Sequence, residues 1–234
     1  MNKLIVITGA TKGIGRAIAE RFAKAKFDLA ICARNEDDLN RVKVEIEKAH
    51  QVNVAVKVTN ISDKKQVSKF TNFILTLNRP INVVVNNAGH FIPGSTMEEP
   101  DGLLERMIEG NVYSAYYTTR GLVDHLKKNG SGHIFNMCSI ASIKAYPNGG
   151  SYTISKFALL GFSKVLREEL KAHNIRVTAV LPGATRTASW EGVDLPDTRF
   201  IKPEDVAEVI FNAYSISDRS VVEEIIIRPQ LGDI

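Results

Sequence analysis

Short apolar runs alternate with amphipathic segments along the whole chain, and this alternation predicts the fold. Continuous runs rich in Val and Ile that end at polar or glycine residues are typical of strands buried on both faces. Seven such strands are predicted, at residues 4–8, 27–33, 52–58, 81–85, 133–138, 176–181 and 221–227. Because these runs are continuously apolar, we expect a parallel sheet with helices on both sides.

Six amphipathic segments separate the strands. Apolar residues that recur every three or four positions predict helices from about residue 14, from 36, after 63, and at 100–128, 151–173 and 204–214. Residues 184–202 have no clean period, and the chain contains neither a linker nor an internal repeat. A single doubly wound α/β domain over residues 1–234 is therefore the expected architecture.

Composition excludes several classes of protein. A chain of 234 residues with 44% hydrophobic and 24% charged residues is typical of a soluble globular protein. The net charge of +4 is small and its Lys and Arg residues are dispersed, which argues against a nucleic-acid partner. The chain has no window of eighteen apolar residues, so a membrane span is not expected. The first apolar run is too short for a signal peptide.

The cysteines and histidines point to a cytoplasmic protein without a metal. Cys32 and Cys138 lie in apolar runs, where cysteine usually behaves as a small buried hydrophobe. Two such thiols fit a reducing compartment better than a disulfide framework. The five histidines have no metal-ligand spacing.

A glycine-rich turn joins the first strand to the first helix. It reads Thr8-Gly9-Ala10-Thr11-Lys12-Gly13-Ile14-Gly15. Glycines at such a turn let a pyrophosphate approach the free N–H groups at the helix N-terminus, although glycines also serve any tight strand-to-helix turn. Its place between a buried strand and an amphipathic helix favours a nucleotide site.

The end of the second strand indicates which nucleotide this turn binds. An acidic residue there would bind a ribose hydroxyl, but the chain has Ala33 followed by Arg34. An arginine suits a 2′-phosphate, with Lys12 as a second cation nearby. The alternative is that Arg34 is a solvated loop residue and Glu36 takes the ribose.

Tyr152 and Lys156 lie four residues apart in a predicted helix, so their side chains share one face. A nearby ammonium favours the phenolate, so the pKa of Tyr152 should fall from its usual value of about 10. A tyrosine of that kind can exchange a proton with an alcohol or a carbonyl. The same spacing also occurs by chance.

These motifs together resemble the short-chain dehydrogenase/reductase family, over essentially the whole chain. The resemblance rests on the glycine turn, Asn86-Asn87-Ala88-Gly89, Asn111, Ser139, Tyr152-x-x-x-Lys156 and Pro182-Gly183, in the family's order and usual spacing. It implies a Rossmann fold and an NADP(H)-dependent oxidoreductase that interconverts a carbonyl and an alcohol. It also implies a homotetramer or homodimer.

The resemblance further implies roles for individual residues. Tyr152 would exchange the proton, Lys156 would lower its pKa and bind the nicotinamide ribose, Ser139 would hold the carbonyl oxygen, and Asn111 would hold a water that links Lys156 to solvent. The cofactor would contact Gly9, Thr11, Lys12, Gly13, Ile14, Gly15, Arg34, Asn35, Asn60, Ile61, Asn87, Ala88, Gly89, Tyr152, Lys156, Pro182, Gly183, Thr185 and Thr187. Asn60 departs from the aspartate that the family usually has near the adenine.

Other interpretations remain for several of these residues. Ser142 competes with Ser139 for the catalytic position, and Gly149-Gly150-Ser151 resembles part of a hydrolase nucleophile turn, although its closing glycine is absent. A nucleotide-binding scaffold that has lost turnover would share the fold. Such a protein would be expected to lose one of the four residues Asn111, Ser139, Tyr152 and Lys156, and all four are present.

The substrate is the least defined part of the prediction. Ser139 and a set of loop residues would line its pocket: Phe91, Ile140, Tyr146, Asn148, Trp190 and Phe200. Trp190 could equally be part of the core. The substrate would be a small carbonyl compound or a 3-oxoacyl thioester.

Overall fold

The computed structural model describes residues 1–190 and 192–234, and a seven-stranded parallel sheet forms its centre. The strands lie in the order β3-β2-β1-β4-β5-β6-β7. They are β1 Leu4–Thr8, β2 Asp28–Ala33, β3 Val54–Val58, β4 Val83–Asn86, β5 Gly132–Met137, β6 Ile175–Pro182 and β7 Glu224–Ile227. The predicted doubly wound fold, with seven strands, is confirmed.

The strand order reverses between β1 and β4, and this leaves a crevice at their carboxyl ends. The chain moves outward from β1 to β3 and then crosses back to β4. The Thr8 hydroxyl, at the end of β1, accepts the N–H groups of Asn87 and Ala88 at 3.1 Å each. Ligands of open α/β sheets bind at such a reversal.

Helices cover both faces of the sheet. They are α1 Gly13–Lys24, α2 Glu36–His50, α3 Lys64–Thr76, α4 Leu103–Ile108, α5 Ser114–Asn129, α6 Gly150–Leu170 and α7 Pro203–Ser215. One core contains Phe22 and the apolar faces of α1, α2 and α7, and a second contains Phe70 and those of α3, α5 and α6. Burial of each phenylalanine stabilises the fold by roughly 2 kcal/mol. Among the described residues, no helix combines the length and apolar character that crossing a bilayer requires.

The helix predicted at residues 100–128 is interrupted. A π-helical turn, Glu109–Tyr113, separates α4 from α5. Within it, Gly110 packs so closely against His90 that a Cβ atom there would lie 2.1 Å from the imidazole Cδ2. Asn111, in the same turn, is buried.

The irregular segment after β6 packs back onto the domain. Thr185 forms an isolated parallel bridge with Ile201, and the Trp190 ring meets the Phe200 ring edge-on at 5.3 Å. Phe200 is buried, so this part of the segment is anchored to the core.

Candidate active site

A cavity of about 540 Å³ lies at the carboxyl ends of the central strands, between the glycine turn, the end of β5 and the start of α6. Many of the residues predicted from sequence line it. They are Ile14, Asn87, Gly89, Phe91, Ser139, Ile140, Tyr146, Tyr152, Lys156, Pro182, Gly183, Thr185, Thr187 and Trp190. The structure therefore brings together side chains from five separate parts of the chain.

Tyr152 and Lys156 lie on the first two turns of α6, on the side that faces β5. The Lys156 ammonium lies 5.6 Å from the centre of the Tyr152 ring and donates to the Met137 carbonyl at 2.8 Å. Lys156 is only 6% exposed. The Phe91 ring meets the Tyr152 ring edge-on at 4.9 Å, which holds the phenol from the opposite side.

Burial controls the ionisation of both groups. It raises the pKa of Tyr152 well above its usual value, and the neighbouring Ser139 hydroxyl opposes this shift. Burial also lowers the pKa of Lys156 to about 8. The predicted lowering of the Tyr152 pKa by Lys156 is thus wrong for this structure. The phenol ionises only at a pH above the pKa of Lys156, where the lysine is already neutral, so the cation does not lower the pKa of Tyr152.

The two candidate serines have different surroundings. Ser139 lines the cavity, and its hydroxyl accepts the Ala141 N–H at 3.1 Å. The buried Ser142 hydroxyl accepts the Ser139 N–H at 3.2 Å, which completes a capping box around a short 3₁₀ turn. Ser142 therefore supports the turn that presents Ser139, and the catalytic choice of Ser139 stays a prediction.

Asn111 connects the π-helical turn to the loop after β4 and to α6. Its side-chain oxygen accepts the His90 N–H at 2.6 Å, and its amide donates to the His90 carbonyl at 3.0 Å and to the Ser155 hydroxyl at 2.9 Å. These bonds hold the loop and the helix together. The water-binding role that the resemblance implies stays a prediction.

The glycine turn has the form that a bound dinucleotide requires. A Cβ atom on Gly15 would lie 2.2 Å from the Gly9 carbonyl oxygen, so only glycine fits there. No side chain within residues 1–190 or 192–234 caps the first N–H groups of α1, whose N-cap residue is Lys12. Free N–H groups and the positive end of the helix dipole suit a pyrophosphate, with Thr11 and Ile14 beside them.

The side of the crevice predicted to bind the adenosine carries two cations, Arg34 and Lys12. Arg34 is exposed directly after β2, and Lys12 lies 3.9 Å from Asp38. The Asn35 side chain caps α2 by accepting the Asp38 N–H at 2.8 Å. Glu36, the alternative ribose ligand, is exposed at the first position of α2, so the geometry leaves both interpretations possible.

Asn60 and Ile61 lie at the far edge of this side of the crevice. The Asn60 side-chain oxygen accepts the Ser62 N–H at 3.2 Å, and the Asn60 N–H donates to Gln66 at 2.8 Å. The Ile61 side chain is buried in the core. The predicted adenine contacts would therefore come from the side-chain nitrogen of Asn60 and from the backbone of Ile61.

The segments that follow β4 and β6 also line the crevice. Asn87 donates to the Thr8 and Gly9 carbonyls at 3.0 and 2.9 Å, which fixes the glycine turn against the end of β4. Gly183 donates to the Ile227 carbonyl at 2.8 Å, and the Thr185 hydroxyl donates to the Gly183 carbonyl at 3.0 Å.

Two predicted substrate residues do not line the cavity. Asn148 is exposed in a left-handed turn with φ of 60°, and its carbonyl accepts the Gly94 N–H at 3.0 Å, so it supports the loop from outside. Phe200 lies behind Trp190 in the core. Trp190 lines the cavity and also packs on Phe200, so both interpretations of Trp190 hold.

Sequence reasoning missed four polar residues in the cavity wall: His90, Lys144, Ser189 and Asp233. One Asp233 oxygen accepts from Arg228 and lies 3.7 Å from Lys144. The other oxygen is buried without a hydrogen-bond partner among the described residues. No local motif marks Asp233, because only the path of the chain after β7 brings it to the cavity.

Known proteins share this architecture. Residues 3–196 match the family model for short chain dehydrogenase. The chain is 34% identical to sepiapterin reductase of Chlorobaculum tepidum over 242 residues, which cover 100% of this chain and 99% of that protein. An alcohol dehydrogenase of Thermococcus sibiricus, solved with 5-hydroxy-NADP, is similar with a TM-score of 0.90 at 28% identity, covering 98% and 97% of the two chains. L-sorbose reductase of Gluconobacter frateurii, solved with NADPH and L-sorbose, has a TM-score of 0.90 at 28% identity, covering 97% and 95%.

Proposed function

Because this chain belongs to the short chain dehydrogenase family, we propose that it is an NADP(H)-dependent oxidoreductase that interconverts a carbonyl and an alcohol, with Tyr152 as the proton donor and acceptor. One observation carries the proposal. Tyr152, Ser139 and Lys156 meet in a single cavity whose other end is the glycine turn.

The cofactor end of the crevice fits a phosphorylated dinucleotide. The tight turn at Gly15 and the uncapped first N–H groups of α1 among the described residues suit the pyrophosphate, and Arg34 with Lys12 suits a 2′-phosphate. When bound, the nicotinamide supplies or accepts the hydride. The solved relatives that carry NADP or NADPH support the same assignment.

The residues around the substrate oxygen can manage its proton. Burial keeps the Tyr152 phenol protonated at neutral pH, so it is ready to donate to a carbonyl oxygen on which negative charge develops. The Ser139 hydroxyl would donate a hydrogen bond to the same oxygen. Below pH about 8 the charged Lys156 would stabilise the phenolate that remains.

The decisive variant is Tyr152→Phe, which removes the exchangeable proton and keeps the ring contact with Phe91. We expect NADPH oxidation with a ketone panel to fall by at least about 100-fold, the usual contribution of acid–base catalysis. NADPH binding, measured by fluorescence titration, should stay within twofold because the glycine turn is unchanged. Full activity in Tyr152→Phe would refute the proton-donor assignment. The alternative of a silent scaffold would require that wild-type protein binds NADPH and oxidises it with no member of the panel.

For the substrate we propose a small polar ketone or aldehyde that carries N–H or O–H donors at the end away from the carbonyl. The support is the buried Asp233 oxygen, which lacks a partner among the described residues and belongs to a cavity-lining side chain. A buried acceptor left unpaired costs about 1–3 kcal/mol, so a substrate donor would be favoured there. The relative named sepiapterin reductase supports this class over a 3-oxoacyl thioester.

A two-substrate comparison tests this class. Sepiapterin should be reduced with a higher kcat/KM than a 3-oxoacyl thioester, and Asp233→Asn should lower kcat/KM for sepiapterin by about 10-fold, the effect of one charge-assisted hydrogen bond. Asp101→Asn, at an exposed site on the approach to α4, is the matched control and should not change it. Preference for the thioester, or an unchanged rate in Asp233→Asn, would contradict the assignment.

We also propose that the protein assembles as a homodimer or homotetramer. The exposed face of α6, and Tyr113 in the turn before α5, carry apolar and aromatic side chains that are costly to leave in water.

A further inference from the structure

Ser151, in the stretch that resembles part of a hydrolase nucleophile turn, has a different partner. Its side chain is buried, and its hydroxyl donates to the carboxylate of Glu99. The described residues place no histidine in hydrogen-bond contact with Ser151. A serine that donates to a carboxylate without a base is not activated for attack. The stretch therefore has a structural purpose at the start of α6.

Glu99 serves as the N-terminal cap of α6. One carboxylate oxygen accepts the Ser151 N–H at 2.9 Å, and the second lies 3.2 Å from the same nitrogen and accepts the hydroxyl. Gly149 occupies the N-cap position and has no side chain to offer, and the first turn of α6 contains no acidic residue. The cap thus comes from a loop 52 positions earlier in the sequence. Its negative charge also complements the helix dipole.

The backbone is shaped to admit this carboxylate. A Cβ atom on Gly150 would lie 2.0 Å from the Glu99 carboxylate oxygen and 2.5 Å from the Gly94 carbonyl oxygen. Gly94 in turn donates to the Asn148 carbonyl at 3.0 Å. The loop between β4 and α4 is therefore packed directly against the turn that opens α6.

The same loop also contacts the proposed proton donor. Phe91 meets the Tyr152 ring edge-on, and Tyr152 directly follows Ser151. The loop thus holds the start of α6 by two contacts on adjacent residues, one polar and one aromatic.

We propose that Glu99 is a positioning residue for Tyr152: by binding the N–H and the hydroxyl of Ser151, it fixes the first turn of α6 so that the phenol points at the substrate oxygen. This inference rests on the proposed function of Tyr152. Without Glu99, the N–H and the hydroxyl of Ser151 lose their acceptor. The first turn of α6 then becomes less ordered, and Tyr152 samples orientations from which it does not donate a proton to the substrate. The glycine turn, at the other end of the crevice, is not affected.

The experiment compares Glu99→Ala, Glu99→Gln and Glu98→Ala in NADPH oxidation. Glu99→Ala should lower kcat by about 10-fold or more, because small misplacements of a reacting group are costly in rate. Glu99→Gln keeps a side-chain oxygen for the Ser151 N–H and should restore at least half of the wild-type kcat. Glu98→Ala, at the exposed neighbouring position, should match wild type. The NADPH dissociation constant should be unchanged in all three.

Three outcomes would overturn the inference. They are a wild-type kcat in Glu99→Ala, an equal loss in Glu99→Gln and Glu99→Ala, and a parallel loss of NADPH binding, which would indicate general damage to the fold. Tyr152→Phe, measured alongside, separates this inference from the proposed function. If Tyr152→Phe remained active, the role of Tyr152 would fail; if Tyr152→Phe were inactive and Glu99→Ala active, only the role of Glu99 would fail.

Discussion

Tyr152 and Lys156 share the face of α6 that meets the end of β5, and burial acts on them in opposite directions. It raises the pKa of the phenol and lowers the pKa of the ammonium to about 8, because the charged form of each group loses water. A protonated tyrosine beside a lysine that is charged at neutral pH suits the reduction of a carbonyl. The same pair is less suited to the reverse reaction until the tyrosine ionises.

The lowered pKa of Lys156 predicts the pH dependence of reduction. Lysine is charged below its pKa, so kcat/KM for carbonyl reduction should be constant below pH about 8 and fall as the pH rises through that value. In Lys156→Arg the side chain stays charged throughout, so the residual activity should lack this decline. Steady-state rates between pH 6 and pH 10, a range set by the usual pKa values of these groups, measure both profiles. A decline that persists in Lys156→Arg would show that another group titrates.

At the scale of elements, the first two strands and the helices that follow them form the end of the crevice that we propose for the cofactor. β1 ends at the glycine turn, and the exposed Arg34 follows β2. Two hydrogen bonds hold the backbone of this region in place. The Asn35 side chain caps α2, and the Gly9 N–H donates to the Cys32 carbonyl at 2.9 Å. Arg34 itself extends from that frame toward solvent.

Arg34→Asp should shift cofactor preference toward NADH. A carboxylate at this position would repel a 2′-phosphate and accept a ribose hydroxyl, and loss of a charge-assisted hydrogen bond corresponds to about a 10-fold to 100-fold change. The ratio of kcat/KM for NADPH to that for NADH measures the shift. Arg219→Asp, an exposed site distant in sequence from the cofactor turn, is the control. An unchanged ratio in Arg34→Asp would favour Glu36 as the ribose ligand.

The π-helical turn between α4 and α5 shows how an element can depart from its sequence pattern. The spacing of apolar residues predicts one helix through residues 100–128, because one extra residue in a single turn scarcely changes that spacing. The interruption is set by contacts across the domain. Gly110 must accept the His90 ring, and Asn111 must reach the backbone of His90 and the hydroxyl of Ser155.

At the scale of the whole molecule, α6 leaves apolar side chains outside the sheet. Ile154, Phe157 and Val165 on α6, and Tyr113 in the turn before α5, are between 43% and 54% exposed. Exposed side chains of this kind are typical of an interface between subunits.

If the proposed oligomer forms through this surface, Phe157→Glu should dissociate it, because the substitution would bury a charge in the interface. Sedimentation velocity should give a dimer or tetramer for wild type and a monomer, or a smaller assembly, for the variant. Val44→Glu changes an apolar residue on α2 that is also exposed, and it should leave the assembly intact. A wild-type monomer, or an unchanged oligomer in Phe157→Glu, would contradict this assignment of the surface.

Much of this molecule follows from its sequence alone. The apolar runs, the glycine turn and the order of the motifs determine the doubly wound sheet and the family, because each depends on local periodicity or on residues close in the chain. Tertiary structure alone decides the rest. Burial reverses the expected pKa shift of Tyr152. The folded chain also brings together residues that are distant in sequence: Glu99 binds Ser151, Asn111 binds His90, and Asp233 lies in the cavity wall. Solvent exposure and long-range contacts depend on the path of the whole chain, which no local pattern records.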